Sequence, residues 1–213
     1  MNRMAESAPT PRWLHNAATM SRYMQRNIKR MLAYSSVAHA GFLLVGMVAG
    51  GIDGGSAVLF YLIGYAFMTL GAFAVVIALG RRGQPNENLD DYAGVGFRSP
   101  FLGAAMAVFM LSLSGIPPLA GFVGKFYIFS AAVKSGYTGL AIIGVLNSVV
   151  SVYYYVGVLV RMYMTEGTVQ VTAPSSRPYL FATLLLTVTG TVLLGLFPSS
   201  LFEVARQSFL ALH

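Results

Sequence analysis

Five long stretches of the sequence are predominantly apolar, and this pattern constrains the fold more than any other feature. They cover residues 31–50, 57–80, 101–134, 138–160 and 179–197. A helix needs roughly 20 apolar residues to cross ~30 Å of hydrocarbon. Charged residues make up only 10% of the chain, whereas soluble domains usually carry about 25%. We therefore predict an all-α integral membrane protein whose five segments each cross the bilayer.

The third segment is too long for one straight span, and the dipeptide Pro117-Pro118 lies near its centre. Proline removes a helical hydrogen bond and clashes with the preceding turn, so we expect the helix to break there. Interrupted helices at membrane depth are tolerated where protein or water meets the freed carbonyls, and they recur at transport sites. Gly115, Pro117 and Pro118 are therefore the candidate helix break.

Lys125 is the only charged residue between Phe101 and Val133. An ammonium in hydrocarbon costs from about 2.5 to more than 10 kcal/mol, and such residues usually have a function. Lys134, at the predicted outer end of the segment, is nine residues away, which is about 13 Å of helix and more than a lysine side chain spans. Lysine can release its proton when desolvated, whereas arginine cannot. Lys125 is therefore a candidate proton relay; the alternative is a lysine that pairs with a helix-end carbonyl and only holds the break.

Further polar side chains lie in the apolar segments. His39, in the first segment, titrates near neutral pH and is a second candidate relay, but it could equally hydrogen-bond between helices and never change charge. The fourth segment contains Ser148 and three consecutive tyrosines at 153–155. Because successive helical residues point about 100° apart, we expect one tyrosine at most to line a pathway and the others to pack. Asp53, in a glycine-rich outer loop, is expected to be solvated.

Basic residues flank the apolar segments unevenly. If the first segment begins in the cytoplasm, eleven lysines and arginines lie on the cytoplasmic side and two on the opposite side. The positive-inside rule then predicts a cytoplasmic amino terminus and a periplasmic carboxyl terminus. Residues 1–30 are predicted to form an amphipathic or flexible cytoplasmic segment, 31–197 the transmembrane domain, and 198–213 an interfacial helix on the outer surface.

Composition excludes several other functions. The chain contains no cysteine, which rules out a disulfide, a thiolate metal site and an iron–sulfur cluster within it. Its three histidines, His15, His39 and His213, are far apart, so we expect no metal site. The net charge is +7, and the basic residues that produce it flank the apolar segments. This placement favours the lipid bilayer as the partner over nucleic acid.

Two long motifs carry a resemblance to a known family. Residues 27–41 have the sequence NIKRMLAYSSVAHAG, and residues 111–126 have the sequence LSLSGIPPLAGFVGKF. Both resemble the antiporter-like membrane subunits of respiratory complex I, the NADH–quinone oxidoreductases. The ending Gly124-Lys125-Phe126 is most similar to the subunit N branch of that family. The resemblance extends from about Gln25 to Phe197.

This resemblance implies a function in the membrane arm of such a complex. Lys125 would correspond to the family's channel lysine near the periplasmic exit, and quinone reduction in other subunits would drive proton pumping. Flavin, iron–sulfur clusters and the quinone site would lie in those other subunits, with no cofactor in this chain. Its partners would be the other membrane-arm subunits in a bacterial inner membrane.

One part of the family pattern has no counterpart here. The family carries a first inverted repeat, with its own glutamate–lysine pair, before this region. We therefore expect the carboxyl-terminal portion of such a subunit, a non-redox part that is not catalytic alone. Such a portion would come from a truncated, split or misannotated reading frame, and in the split case another chain would supply the missing repeat. Two alternatives remain: a subunit of a multi-subunit cation/proton antiporter, and a structural fragment that moves no ions.

Overall fold

A computed structural model describes residues 26–80, 87–166 and 178–210 of the protein. The described residues form eight α-helices, which we number in chain order. They are α1 (Ile28–Ala49), α2 (Gly51–Leu79), α3 (Val95–Arg98), α4 (Pro100–Ser114), α5 (Ala120–Lys134), α6 (Thr138–Met164), α7 (Pro178–Leu196) and α8 (Pro198–Leu210). A 3₁₀ turn at Leu89–Tyr92 precedes α3. The predicted all-α membrane fold is confirmed.

Four of the described helices, α1, α2, α6 and α7, are long and apolar enough to cross a membrane, and α4 is a shorter apolar helix. The predicted third segment consists of α4 and α5, each 15 residues long, on either side of residues 115–119. The helix therefore breaks where the two prolines predicted it. The predicted amphipathic or flexible segment, residues 1–30, lies mostly outside the described residues, and α1 begins at Ile28.

The connection between α1 and α2 corrects one expectation. Residues 50–55 are not a loop, because Gly50 and Gly51 take φ values of 65° and 61° and reverse the chain almost at once, a backbone region that favours glycine. Asp53 consequently lies in the first turn of α2, where its carboxylate pairs with Lys134 at 3.0 Å. Both side chains are more than half exposed, so this ion pair contributes only about 0–1 kcal/mol.

The helix α2 lies at the centre of the bundle and packs against α1, α4, α5, α7 and α8. Close approach depends on small residues. The Phe109 ring of α4 lies against Gly71 of α2, and the Phe67 ring of α2 lies against Gly190 of α7. A Cβ at Gly71 or Gly190 would collide with the facing ring. Glycine at such contacts is what permits close helix packing in lipid, where no hydrophobic force drives helices together.

A small buried cluster between α1, α2 and α5 supports the candidate site. Its central members are Phe42, Tyr61 and Ile128. The last described helix, α8, packs near it, since Phe202 stacks on Tyr127 of α5 with ring centroids 4.1 Å apart. The polar groups described next lie against this cluster.

Candidate functional site

The break between α4 and α5 has a distinctive backbone geometry and is contacted by another helix. Gly115 takes a φ of 85°, and the Pro117-Pro118 peptide bond is cis. Gly195 of α7 lies directly against the carbonyl oxygen of Pro118, with no space for a Cβ. This carbonyl is therefore covered by another helix, whereas Pro117 and Pro118 as whole residues are exposed.

Ser112 links the two halves of the broken helix. Its hydroxyl accepts a hydrogen bond from the Gly121 N–H at 3.0 Å and donates to the sulfur of Met68 at 2.7 Å. The first N–H groups of a helix have no partner within it, and Ser112 supplies one for α5. Gly121 also lies against the Ser112 carbonyl, where a Cβ would collide. The two half-helices are thus held in contact at their broken ends.

Lys125 is buried in this break, with only 4% of its surface exposed. Its Nζ donates to the carbonyl oxygens of Leu113 at 2.9 Å and Ser114 at 3.1 Å. A third bond goes to the hydroxyl of Ser148 on α6 at 2.9 Å. The two carbonyls lie at the end of α4, where they lack helical partners and carry the negative end of the helix dipole. None of the ion pairs found among the described residues involves Lys125, so its charge is balanced by dipoles.

His39 is the second buried polar centre, with 1% of its surface exposed. Its Nδ1 lies 2.5 Å from the hydroxyl of Tyr61, and its Nε2 lies 2.9 Å from the hydroxyl of Tyr155. A neutral imidazole donates from one nitrogen and accepts at the other, and a tyrosine hydroxyl can do either. The imidazole is therefore held between two groups that can each give or take a proton.

The ring of Phe42 touches both centres. The Lys125 Nζ lies 5.0 Å from its centroid, and the His39 ring lies edge-on to it with centroids 5.8 Å apart. Lys125 and His39 share no hydrogen-bond partner among the described residues. An apolar ring, not a polar side chain, thus lies between the two titratable groups.

A line of polar groups on α6 joins the two centres indirectly. Ser151 donates to the carbonyl of Ser148 at 2.6 Å, and the side chain of Tyr154 interacts with Ser151 and with Tyr155. As their spacing predicted, the three tyrosines point in different directions. Tyr155 is fully buried beside His39, whereas Tyr153 is 77% exposed.

A first cavity, of about 720 Å³, lies between α5 and α6. Lys125 and Ser148 line one part of it, and Lys134 and Thr138 line another. Most of the remaining wall is apolar. The first cavity therefore connects the buried ammonium with the end of α5 that carries the exposed Lys134.

Some of these groups were not predicted from the sequence. Phe42 looked like an ordinary core aromatic, and the carbonyls that hold Lys125 carry no sequence signal. Tyr61 belongs to a stripe, Tyr61, Tyr65 and Thr69, that repeats every four residues along one face of α2. That stripe is the signal that could have identified it. The described residues contain no group of three or more His, Cys, Asp or Glu side chains that could hold a metal ion.

The helical bundle with an interrupted segment is that of a multi-pass membrane protein, and comparison with known families makes this specific. The family model described as "NADH:quinone oxidoreductase/Mrp antiporter, TM" matches residues 17–151. The chain belongs to this family. The resemblance inferred from the two sequence motifs is thereby confirmed.

Individual relatives agree with this assignment. NADH-quinone oxidoreductase subunit N from Trichlorobacter lovleyi is 51% identical over 189 residues, which are 86% of this chain and 38% of the relative. The chain spans about two-fifths of the length of the curated relatives it matches.

Solved structures share the fold. Respiratory complex I from Thermus thermophilus with bound aureothin aligns with a TM-score of 0.70 and 34% identity over 84% of this chain and 40% of that chain. The Mrp complex from a Dietzia species aligns with a TM-score of 0.74 and 22% identity over 85% of this chain and 42% of that chain. Because the Mrp complex is only 22% identical to this chain, its similarity concerns the fold alone.

Proposed function

We propose that this chain is part of a proton-translocating membrane-arm subunit of an NADH–quinone oxidoreductase. The observation that carries the proposal is the buried ammonium of Lys125, which is bound by two carbonyls and one hydroxyl at a broken helix. Intramembrane ionisable residues usually belong to ion or proton pathways. The kinship with the subunit N relatives supports the same conclusion.

In this proposal Lys125 is the central relay. The carbonyls of Leu113 and Ser114 stabilise the ammonium but cannot take its proton, because an amide oxygen is only an acceptor. The ammonium therefore loses its proton to Ser148 or to water in the first cavity, and the amine that remains can accept another. Release toward the Lys134 end is the direction in which the first cavity extends.

His39 is the second relay of the proposal. Its two tyrosine partners let it accept a proton at one ring nitrogen and give one up at the other. The helix break at Gly115, Pro117 and Pro118 has a positioning role, because it frees the carbonyls that bind Lys125. Since Phe42 separates the two relays, transfer between them requires intervening water or a movement of that ring. The polar line on α6 does not suffice, because it includes the main-chain carbonyl of Ser148, which accepts a hydrogen bond but does not pass a proton on.

The membrane topology of the chain, its lack of cofactors and its partner subunits are also part of the proposal. Residues 1–30 form a cytoplasmic segment, 31–197 the transmembrane domain and 198–213 an interfacial helix, in a bacterial inner membrane with the carboxyl terminus in the periplasm. The chain itself is non-redox; flavin, iron–sulfur clusters and quinone are bound by other subunits. Its partners are the other membrane-arm subunits.

The decisive experiment replaces Lys125 in the complex that contains this chain. We expect Lys125→Met to slow proton translocation through this subunit by about tenfold or more, since a positioned proton-transfer group commonly contributes about 10²-fold or more to a rate. Lys29→Met is the control, because that lysine is exposed at the start of α1 and lines neither cavity. Unchanged pumping in the Lys125 variant, in a complex that still assembles, would instead indicate a structural fragment.

A cation/proton antiporter subunit is the second candidate, favoured by the family description, which covers both classes. Proton uptake into vesicles separates the two. Uptake that follows quinone reduction supports the first function, and uptake that follows a sodium gradient without any redox reaction supports the second.

A further inference from the structure

We propose that a second cavity, beside Tyr154, is a water-filled entrance through which protons reach His39. This proposal rests on the proposed function, in which His39 relays protons. The second cavity has a volume of about 430 Å³ and lies between α1, the 3₁₀ turn and α6. Among its lining residues are Met31, Leu89, Tyr154, Gly157 and Arg161.

The second cavity is located at the opposite end of α6 from the first. Arg161, at its rim, is more than one-third exposed and lies 3.6 Å from the carboxylate of Asp90 in the 3₁₀ turn, which is largely exposed. By contrast, the first cavity reaches Thr138 at the beginning of α6. The two cavities therefore approach the buried centres from opposite ends of the bundle, as a transmembrane pathway requires.

A continuous set of polar groups joins this cavity to the histidine. Tyr154 forms part of the cavity wall, and its ring lies 4.5 Å from that of Tyr155, centroid to centroid. The hydroxyl of Tyr155 lies 2.9 Å from the Nε2 of His39. Because His39 is only 1% exposed, it needs such a connection to exchange protons with water.

The second cavity is large enough for water and contains polar partners for it. Each water occupies about 30 Å³ in the liquid, so there is space for roughly fourteen molecules. Most of the wall is apolar, but the guanidinium of Arg161 and the hydroxyls of Tyr153 and Tyr154 offer the polar partners that ordered water needs. The space beside Gly157 is open, since a Cβ there would meet only the Arg161 Nη1, at 3.8 Å.

The proton balance of the proposed step is simple. With His39 neutral, its Nε2 accepts the hydroxyl proton of Tyr155 as that hydroxyl accepts a proton from Tyr154 or water. The step ends with the proton on the imidazolium of His39. Each tyrosine that gives a proton receives one, so the hydronium that supplies the proton becomes water and the neutral imidazole becomes a cation. Tyr154 is accordingly a positioning residue that links water to the relay.

Cysteine labelling of the full chain in lipid vesicles tests whether water enters the cavity. The chain has no cysteine, so Gly157→Cys introduces a single thiol. A thiol reacts as its thiolate, which forms in water and not in lipid. Leu185→Cys is the depth-matched control: Leu185 is exposed and lies seven residues from Pro178, as Gly157 lies seven residues from Met164.

We expect an impermeant cationic methanethiosulfonate to label Gly157→Cys at least about tenfold faster than Leu185→Cys. Equal rates would overturn the proposal, because they would mean that lipid or protein fills the cavity. If the glycine variant does not fold, Val156→Cys repeats the test against Leu186→Cys, which is eight residues from Pro178, as Val156 is from Met164.

A second measurement tests the role of Tyr154 without any pumping assay. With ¹⁵N-labelled histidine, only His15, His39 and His213 contribute signals. Solid-state NMR of the chain in bilayers then reports the transfer of magnetisation from water to each imidazole. Tyr154→Phe should lower transfer to His39 severalfold, whereas Tyr179→Phe, at an exposed position on α7 away from the second cavity, should not. Unchanged transfer in Tyr154→Phe would refute the proposed entrance. This measurement does not depend on pumping, so its outcome is independent of the Lys125→Met experiment.

Discussion

The ammonium of Lys125 and the ring of Phe42 form a cation–π contact, with 5.0 Å between Nζ and the ring centroid. The same ring is edge-on to His39. One aromatic side chain therefore helps to hold the lysine's charge and also keeps the two relay candidates apart. A leucine would fill much of the same volume without the π-face, which makes the two roles separable.

We predict a measurable energetic coupling between Phe42 and Lys125. In a double-mutant cycle of Phe42→Leu and Lys125→Met, unfolding free energies in detergent should reveal a coupling of about 0.5–2 kcal/mol, the strength of a cation–π contact. In a control cycle, Phe129→Leu replaces Phe42→Leu, because the Phe129 ring contacts Phe42. The coupling energy between Phe129 and Lys125 should be smaller. Additive effects in the first cycle would mean that the Phe42 ring only packs.

Gly195 is predicted to be essential for the geometry of the break. The Pro118 carbonyl lies where its Cβ would be, so Gly195→Ala must displace backbone and should destabilise the protein by about 1–3 kcal/mol. Gly41→Ala, in α1, has no atom within 4 Å of the added Cβ and should be neutral or stabilising by up to about 1 kcal/mol. Thermal unfolding of both variants measures the difference, and equal melting temperatures would contradict the expectation.

Glu87 should make the start of α1 sensitive to acid. Hydrogen bonds from the side chains of Lys29 and Asn27 hold the pKa of Glu87 below its ordinary value of 4.5. Because the folded pKa is the lower one, the stabilisation is complete above pH 4.5 and is lost as the pH falls through the folded pKa. Hydrogen exchange of the Ile28 amide, which donates to the Glu87 carbonyl at 2.8 Å, should therefore accelerate in acid.

The Glu87→Gln variant provides the control for this acid effect. Glutamine can still accept a hydrogen bond from Asn27 but does not titrate, so exchange at Ile28 should lose the part of its pH dependence that is due to Glu87. An acid response that is the same in both proteins would assign the effect to another group.

Removal of the Tyr92 hydroxyl should not harm the fold. The side chain is completely buried, and its hydroxyl has no hydrogen-bond partner among the described residues. Burial also raises the pKa of Tyr92, so the group stays neutral. An unpaired buried polar group costs about 1–3 kcal/mol, so Tyr92→Phe should leave the melting temperature unchanged or raise it. Tyr61→Phe, which breaks a bond to His39, should lower it; a drop in the Tyr92 variant would reveal a partner in the rest of the chain.

Most of the fold could be predicted because membrane insertion leaves few options. Apolar length located the helices, and Pro117-Pro118 located the break, since lost hydrogen bonds and steric clashes are local properties. The turn at Gly50 was predicted incorrectly as part of a longer loop. Glycine permits a positive φ without requiring one, so the sequence alone does not distinguish an immediate reversal from a loop.

The sequence indicated Lys125, His39 and the helix break as candidates, but not the groups that surround them. The cost of a charge in hydrocarbon singled out Lys125, but what surrounds it depends on how the helices cross. Ser148 was visible as a polar group and had no assigned partner, because contacts between α5 and α6 are tertiary. Phe42 and Tyr61 were missed for the same reason: a buried aromatic looks identical in sequence whether it faces lipid, a core or an ammonium.

The acceptors that hold Lys125 include two main-chain oxygens, and this has an evolutionary consequence. No substitution of the side chains at Leu113 or Ser114 can delete those oxygens, so selection can act on them only through the shape of the chain. Substitutions at these two buried positions are therefore limited by packing and not by the hydrogen bonds to Lys125. The residues under constraint are instead those that shape the interruption, Gly115 above all, since its φ of 85° lies outside the range other amino acids readily adopt.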